Sequence, residues 1–176
     1  MKLGKQPCLV LVVSALLGLC GGVATAADQA KVLDLVVASN VDAPLVGTFK
    51  DAVRARLKAL TAGQRKCWLD LPADSFRAAA ADYLARQLTD AEIAQGLAFF
   101  ATPVGKRMAR VYDGESSQPR PEELTNQEMR QHDDFLATRP GSELLIPNNL
   151  LQSREVKKQF DKLFAKQWKE CGAPAS

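Results

Sequence analysis

Histidine is nearly absent: His132 is the single one among 176 residues. One histidine without a flanking motif leaves a Ser-His-Asp or Cys-His nucleophile site unsupported. There is no His-Glu-x-x-His and no glycine-rich loop to cradle a phosphate. Cys-x-x-Cys is missing too, and two late cysteines with one histidine are too few for a metal site. No metal and no cofactor are therefore expected. No five-residue run alternates apolar and polar in the manner of a half-buried strand, so no sheet is expected. Charge of one sign is not in excess. The formal net charge is +3, and loss of Lys2 and Lys5 with a leader lowers it further, which argues against nucleic acid as a partner.

The leader is the first positive feature. Lys2 and Lys5 precede an apolar run from Cys8 to Cys20, and Ala24-Thr25-Ala26 supplies small residues before Ala27. This is the pattern of a secretory signal peptide over residues 1–26, with cleavage expected before Ala27. The run is too short to span a bilayer comfortably, and no transmembrane segment is expected in residues 27–176. Leu17-Gly18-Leu19-Cys20 has the outline of a lipobox, but Leu19 is bulky where a small residue is needed, which argues against lipid anchoring at Cys20. The expected location is the periplasm or the medium. Cys67 and Cys171 remain after cleavage, an even pair in an oxidising compartment. A disulfide is the natural reading, and two buried thiols are the rival.

Helical periodicity fills most of residues 27–176, which are expected to form one α-helical domain. Val32, Leu35, Val36 and Ser39 mark a first helix. Leu45, Phe49, Ala52, Val53, Leu57 and Leu60 mark a second, after Pro44. Thr61-Ala62-Gly63-Gln64 fits a capping box and opens a helix with Cys67 and Trp68. Phe76, Ala80, Tyr83 and Leu84 mark the next. Gly114 to Pro121 is polar, with two prolines, and is expected to be an exposed loop. A last helix is expected from about Leu150 to Lys169.

One stretch occurs twice. Residues 88–108 recur, without a gap, as residues 124–144, with Leu88, Thr89, Glu92, Gln95, Phe99, Ala101, Thr102 and Gly105 repeated as Leu124, Thr125, Glu128, Gln131, Phe135, Ala137, Thr138 and Gly141. Each copy opens with a Thr-x-x-Glu capping box. In each, Thr102 or Thr138 is placed to cap a second short helix, so each copy is expected to be an αα-hairpin with a tight turn. Glycine at the start of that second helix weakens it, and close approach of two backbones is the expected compensation. Ile93, Leu97 and Phe100 lie on one helical face. Glu92, Gln95, Phe99 and Thr102 lie on another, and capping or packing accounts for all of these except Gln95. Gln95 is either a partly buried amide bonded to backbone or part of a repeated ligand face with Glu92, Phe99, Glu128, Gln131 and Phe135.

His132 lies four residues after Glu128 and just before Asp133 and Asp134. That spacing suits weak metal holding or an acid–base pair, but a solvated helix face with a local Glu–His pair is the expectation. Asp133 takes the place of Leu97 in the other copy. Either that copy packs more loosely or Asp133 meets an arginine. In the last helix, Phe160, Leu163, Phe164 and Cys171 gather on one side, with Val156 and Trp168 at the margins. Lys158, Lys162, Lys166 and Lys169 gather opposite, with Arg154. This basic face would suit an anionic envelope surface.

The stretch from Tyr83 to Lys106 reads Y-x(4)-LT-x-x-E-I, then FF-x-T-P-x-G-K. It resembles the bacterial envelope family known as domain of unknown function 2059. The likeness is partial in the second copy, where Arg139-Pro140 stands in place of Thr-Pro. The resemblance implies a small exported α-helical domain and carries no catalytic residues. Together these readings predict an all-α, compact bundle of about six to eight helices containing a duplicated αα-hairpin. The function expected is a non-enzymatic binding or interaction module with an envelope partner. The alternative is an enzyme or accessory factor acting on cell-wall material.

Overall fold

The Asp28 carboxylate accepts the Ala30 backbone N–H and starts α1, Gln29–Ser39. Its buried face is Val32, Leu35, Val36 and Ser39, the set that the periodicity marks. This helix packs against α4 (Arg77–Gln87), α5 (Asp90–Ala101) and α6 (Pro103–Ala109). It is the hub because its apolar residues leave no charge on the inward side. The computed structural model describes residues 28–56, 59–115, 124–146 and 148–172. Among these there are ten helices and no strand. The expected signal peptide and the lipobox-like stretch ending at Cys20 lie outside the described residues.

Asn40 adopts the left-handed conformation (φ 53°) and ends α1. Its side-chain amide donates to the Ala109 and Tyr112 carbonyls, both at 3.0 Å. That contact satisfies carbonyls orphaned at the end of α6. Val111 and Tyr112, which continue the helical spacing of Val104 and Met108, lie beyond α6. The next helix, α2 (Ala43–Arg56), buries Leu45, Phe49 and Val53. Its stripe continues in sequence to Leu57 and Leu60. Leu57 lies outside the described residues, and Leu60 is buried after a turn rather than within the helix. Asp42, before α2, is almost wholly buried, and burial raises its carboxyl above the ordinary carboxylate range; the Arg77 guanidinium pulls it back only in part.

The α3 helix (Ala62–Leu69) begins with the capping box of Thr61 and Gln64. It brings Cys67 to Cys171, to which it is disulfide-bonded with a Cα separation of 5.7 Å. Trp68 is fully buried beside the bridge, and its indole N–H donates to the Gly172 carbonyl at 3.3 Å. The other partner of the bridge is α10, Arg154–Cys171, the longest helix. It starts at Arg154 rather than Leu150 because Ser153 caps it, accepting the Val156 N–H, and a separate turn, α9 (Asn148–Gln152), precedes it. Phe160 and Phe164 dock onto Phe76 and Phe49, each pair of centroids 4.7 Å apart. Val156, which the helical wheel puts at the margin, is wholly buried. Gln167 is buried too, while Trp168 is half exposed and meets Trp68 edge-on.

Of the loop expected from Gly114 to Pro121, residues 116–121 lie outside the described residues. Gly114 is buried, and the Glu115 carboxylate takes Lys50 Nζ at 2.5 Å and Arg54 at 3.7 Å. Lys50 is buried, so this pair ties the start of the segment to α2. The helix count exceeds six to eight because the chain divides into short pieces. The helices α6 and α8 (Arg139–Leu145) have seven residues each, and α9 has five. No described helix is by itself long and apolar enough to cross a membrane; α1 and α2 would qualify only together, and they bend by 63°.

Candidate functional site

Thr89 and Glu92 open α5 with a reciprocal cap: the Thr89 N–H donates to Glu92 Oε2 at 2.8 Å, and the Glu92 N–H to Thr89 Oγ1 at 3.4 Å. The same pair opens α7 (Asn126–Leu136), where the Thr125 N–H donates to Glu128 Oε2 at 2.9 Å. The cap holds the Glu92 carboxyl below its usual range, first through the Thr89 backbone N–H. Glu128 also forms an ion pair with Arg107 of α6. Both glutamates are thus committed to structure.

Each of these helices ends in one repeated device. Thr102 Oγ1 donates to the Phe99 carbonyl at 2.6 Å and accepts the Gly105 N–H at 3.1 Å. Thr138 Oγ1 donates to the Phe135 carbonyl at 2.6 Å and accepts the Gly141 N–H at 3.2 Å. One hydroxyl thereby ends the first helix and starts the second, which makes the turn tight. The helices exchange partners: α5 packs on α8 as well as α6, and α7 on α6 as well as α8.

This exchange brings residues 36 apart in sequence face to face. The rings of Phe99 and Phe135 stack with centroids 3.8 Å apart and planes within 9°. Phe100 stands edge-on to both. Over the stack lies an open groove of about 320 Å³ lined by Gln95, Phe99, Thr102, Val104, Gln131, Asp134, Phe135 and Thr138. Gln95 and Gln131 are exposed. The amide is therefore not a partly buried group bonded to backbone; it stands on the groove with its equivalent. A side-chain amide both donates and accepts, and the stacked rings offer an apolar floor.

Other sequence candidates stand apart. His132 is not among the residues that line this groove. Its Nδ1 lies 2.9 Å from Asp133 Oδ1, and Asp133 is exposed rather than paired with an arginine. Lys158, Lys162, Lys166 and Lys169 are exposed along α10. Among the described residues no three His, Cys, Asp or Glu side chains converge as metal ligands do. Asp134 and Val104 also line the groove, and the duplication does not point to them, because neither is repeated in the other copy. Tyr83 was read as a core position. Its hydroxyl donates to Glu143 Oε2 at 2.7 Å, and burial first, then this bond, pushes the phenol upward.

The fold and groove define an all-α protein in which α3, α5, α6, α7 and α8 are capped by threonine and α4, α5 and α6 pack on α1. Residues 74–112, from just before α4 through the end of α6, match the family described as "Uncharacterized protein conserved in bacteria (DUF2059)". This is the family that the Tyr83–Lys106 pattern resembles. No curated protein and no solved structure matches the chain.

Proposed function

We propose that the chain is a non-enzymatic binding module of the bacterial cell envelope, and that the groove over Phe99 and Phe135 is its binding face. The observation that carries this is the meeting of Gln95 and Gln131 on one open groove, over a stacked ring pair made from the same repeat. Two amides flanking an apolar floor suit an extended peptide segment, whose backbone presents N–H and C=O groups in turn. The leader read from the sequence supports an envelope location. The rival reading, chemistry on cell-wall material, leans on His132, which meets the single carboxylate of Asp133. Replacing both glutamines by arginine should abolish retention of envelope proteins by the immobilised chain, with helicity unchanged. Equal retention by the native chain and the double variant would remove the groove as the binding face.

A second contact is proposed through α10. Phe160 and Phe164 are engaged with Phe76 and Phe49, and Cys171 is tied to Cys67. The apolar side of the helix is therefore occupied, which leaves the exposed lysines as the means of contact. Such binding to an anionic surface is weak and screened by salt. Sedimentation with anionic vesicles is expected at low salt and not at high salt. Binding that survives charge reversal of Lys158, Lys162 and Lys166 would show that these lysines do not carry it.

A further inference from the structure

A second cavity, sharing no lining residue with the groove, lies where the α1–α2 turn meets α6, α7 and α8. Its volume is about 140 Å³, and Val41, Pro44, Met108 and Leu144 supply apolar wall, with His132 as a polar one. Asn40 also lines it, and both of its amide bonds go to backbone carbonyls, which holds that wall in place. The cavity is partly open to solvent, and its size suits one small ring. A cavity of roughly 150 Å³ takes one benzene ring. Here the wall is not wholly apolar. The Nδ1 of His132 lies 2.9 Å from Asp133 Oδ1, and in the neutral tautomer that donates through Nδ1 the other ring nitrogen, Nε2, is an acceptor.

From these features we infer that the cavity is a binding site for a neutral single-ring molecule bearing one hydroxyl, a phenol-like ligand. The ring fills the apolar space and the hydroxyl donates to His132 Nε2. An apolar ring without the hydroxyl displaces water from the part-buried imidazole and gives its acceptor nitrogen no partner, and a carboxylate brings a charge with no O–H to donate. The order of affinity is therefore phenol above toluene and benzoate. A ligand of so few atoms binds weakly, with Kd on the order of millimolar.

The experiment is a titration of the full oxidised chain with phenol, followed by amide chemical shifts. Saturable shifts centred on Val41, Met108 and His132 are expected. Met108→Trp, which fills the space from a half-buried position, should abolish them, and His132→Ala should weaken binding about tenfold. Leu145→Trp provides a second way of filling the cavity should Met108→Trp fail to fold. Absence of saturable shifts, or shifts unchanged by filling the cavity, would overturn the site. Toluene binding as tightly as phenol, or His132→Ala binding phenol undiminished, would overturn the role of His132.

Discussion

Gly141→Ala is expected to destabilise the protein by about 3 kcal/mol or more, enough to unfold a marginal domain. A Cβ at Gly141 would sit on the Phe135 carbonyl group, with its carbon at 2.5 Å and its oxygen nearer still. Those are backbone atoms, so no rotamer change relieves the clash. The turn itself would have to open, breaking the Thr138 bridge between the Phe135 carbonyl and the Gly141 N–H. Gly105→Ala should behave alike, because its Cβ would meet the Phe99 carbonyl and the Phe100 Cα at 2.6 Å. Gly96→Ala should cost less, since the nearest atom is a Leu35 methyl at 2.9 Å, the far end of a flexible side chain. Gly63→Ala is the control. Nothing lies within 4 Å of its Cβ, and alanine there should stabilise by up to about 0.5–1 kcal/mol through the unfolded chain. Urea denaturation followed by far-ultraviolet circular dichroism measures all four. If Gly141→Ala were as stable as Gly63→Ala, the helix–threonine–helix turn would not be built as described.

Loss of the disulfide should have the other large effect. The bridge spans 104 positions, for which the chain-entropy model gives about 4–5 kcal/mol, with measured values commonly about 2–4 kcal/mol. The bond also clamps α3, which contributes one buried core side chain of its own, Trp68. The Cys67→Ser/Cys171→Ser double variant should therefore lose about 2–4 kcal/mol of stability. Its tryptophan emission should shift to the red as Trp68 gains water. A reducing agent should weaken the native chain to the level of the double variant and leave that variant unchanged. A native chain indifferent to reductant, with two titratable thiols among Cys67 and Cys171, would mean that the pair is not bonded.

How far the sequence reaches depends on the range of the interaction. Thr61, Thr89 and Thr125 could be read as helix starts because a capping box closes within four residues. Val32, Leu35, Val36 and Ser39 could be read as one buried face because helical geometry sets that spacing locally. The close approach at Gly105 and Gly141 was open to inference because glycine at a helix start has a cost that a tight turn explains. Cys67 and Cys171 could be paired by counting. Packing within its own copy could account for Phe99 on the same local logic. The structure stacks its ring on Phe135 of the other copy.

The sequence by itself determined an all-helical chain with capped starts, two threonine-glycine turns and a cysteine pair. Each of these rests on chemistry between near neighbours or on residue counts. The tertiary structure alone decided that α5 and α7 exchange partners, so that Gln95 and Gln131 face one groove. It also decided that Asn40 binds the Ala109 and Tyr112 carbonyls from about 70 residues away, and that His132 lines a cavity while Glu128 pairs with Arg107. Periodicity states which side of a helix is apolar, not which of several apolar sides will meet. That choice is made by shape and by burial summed over the whole core, and no local pattern records it.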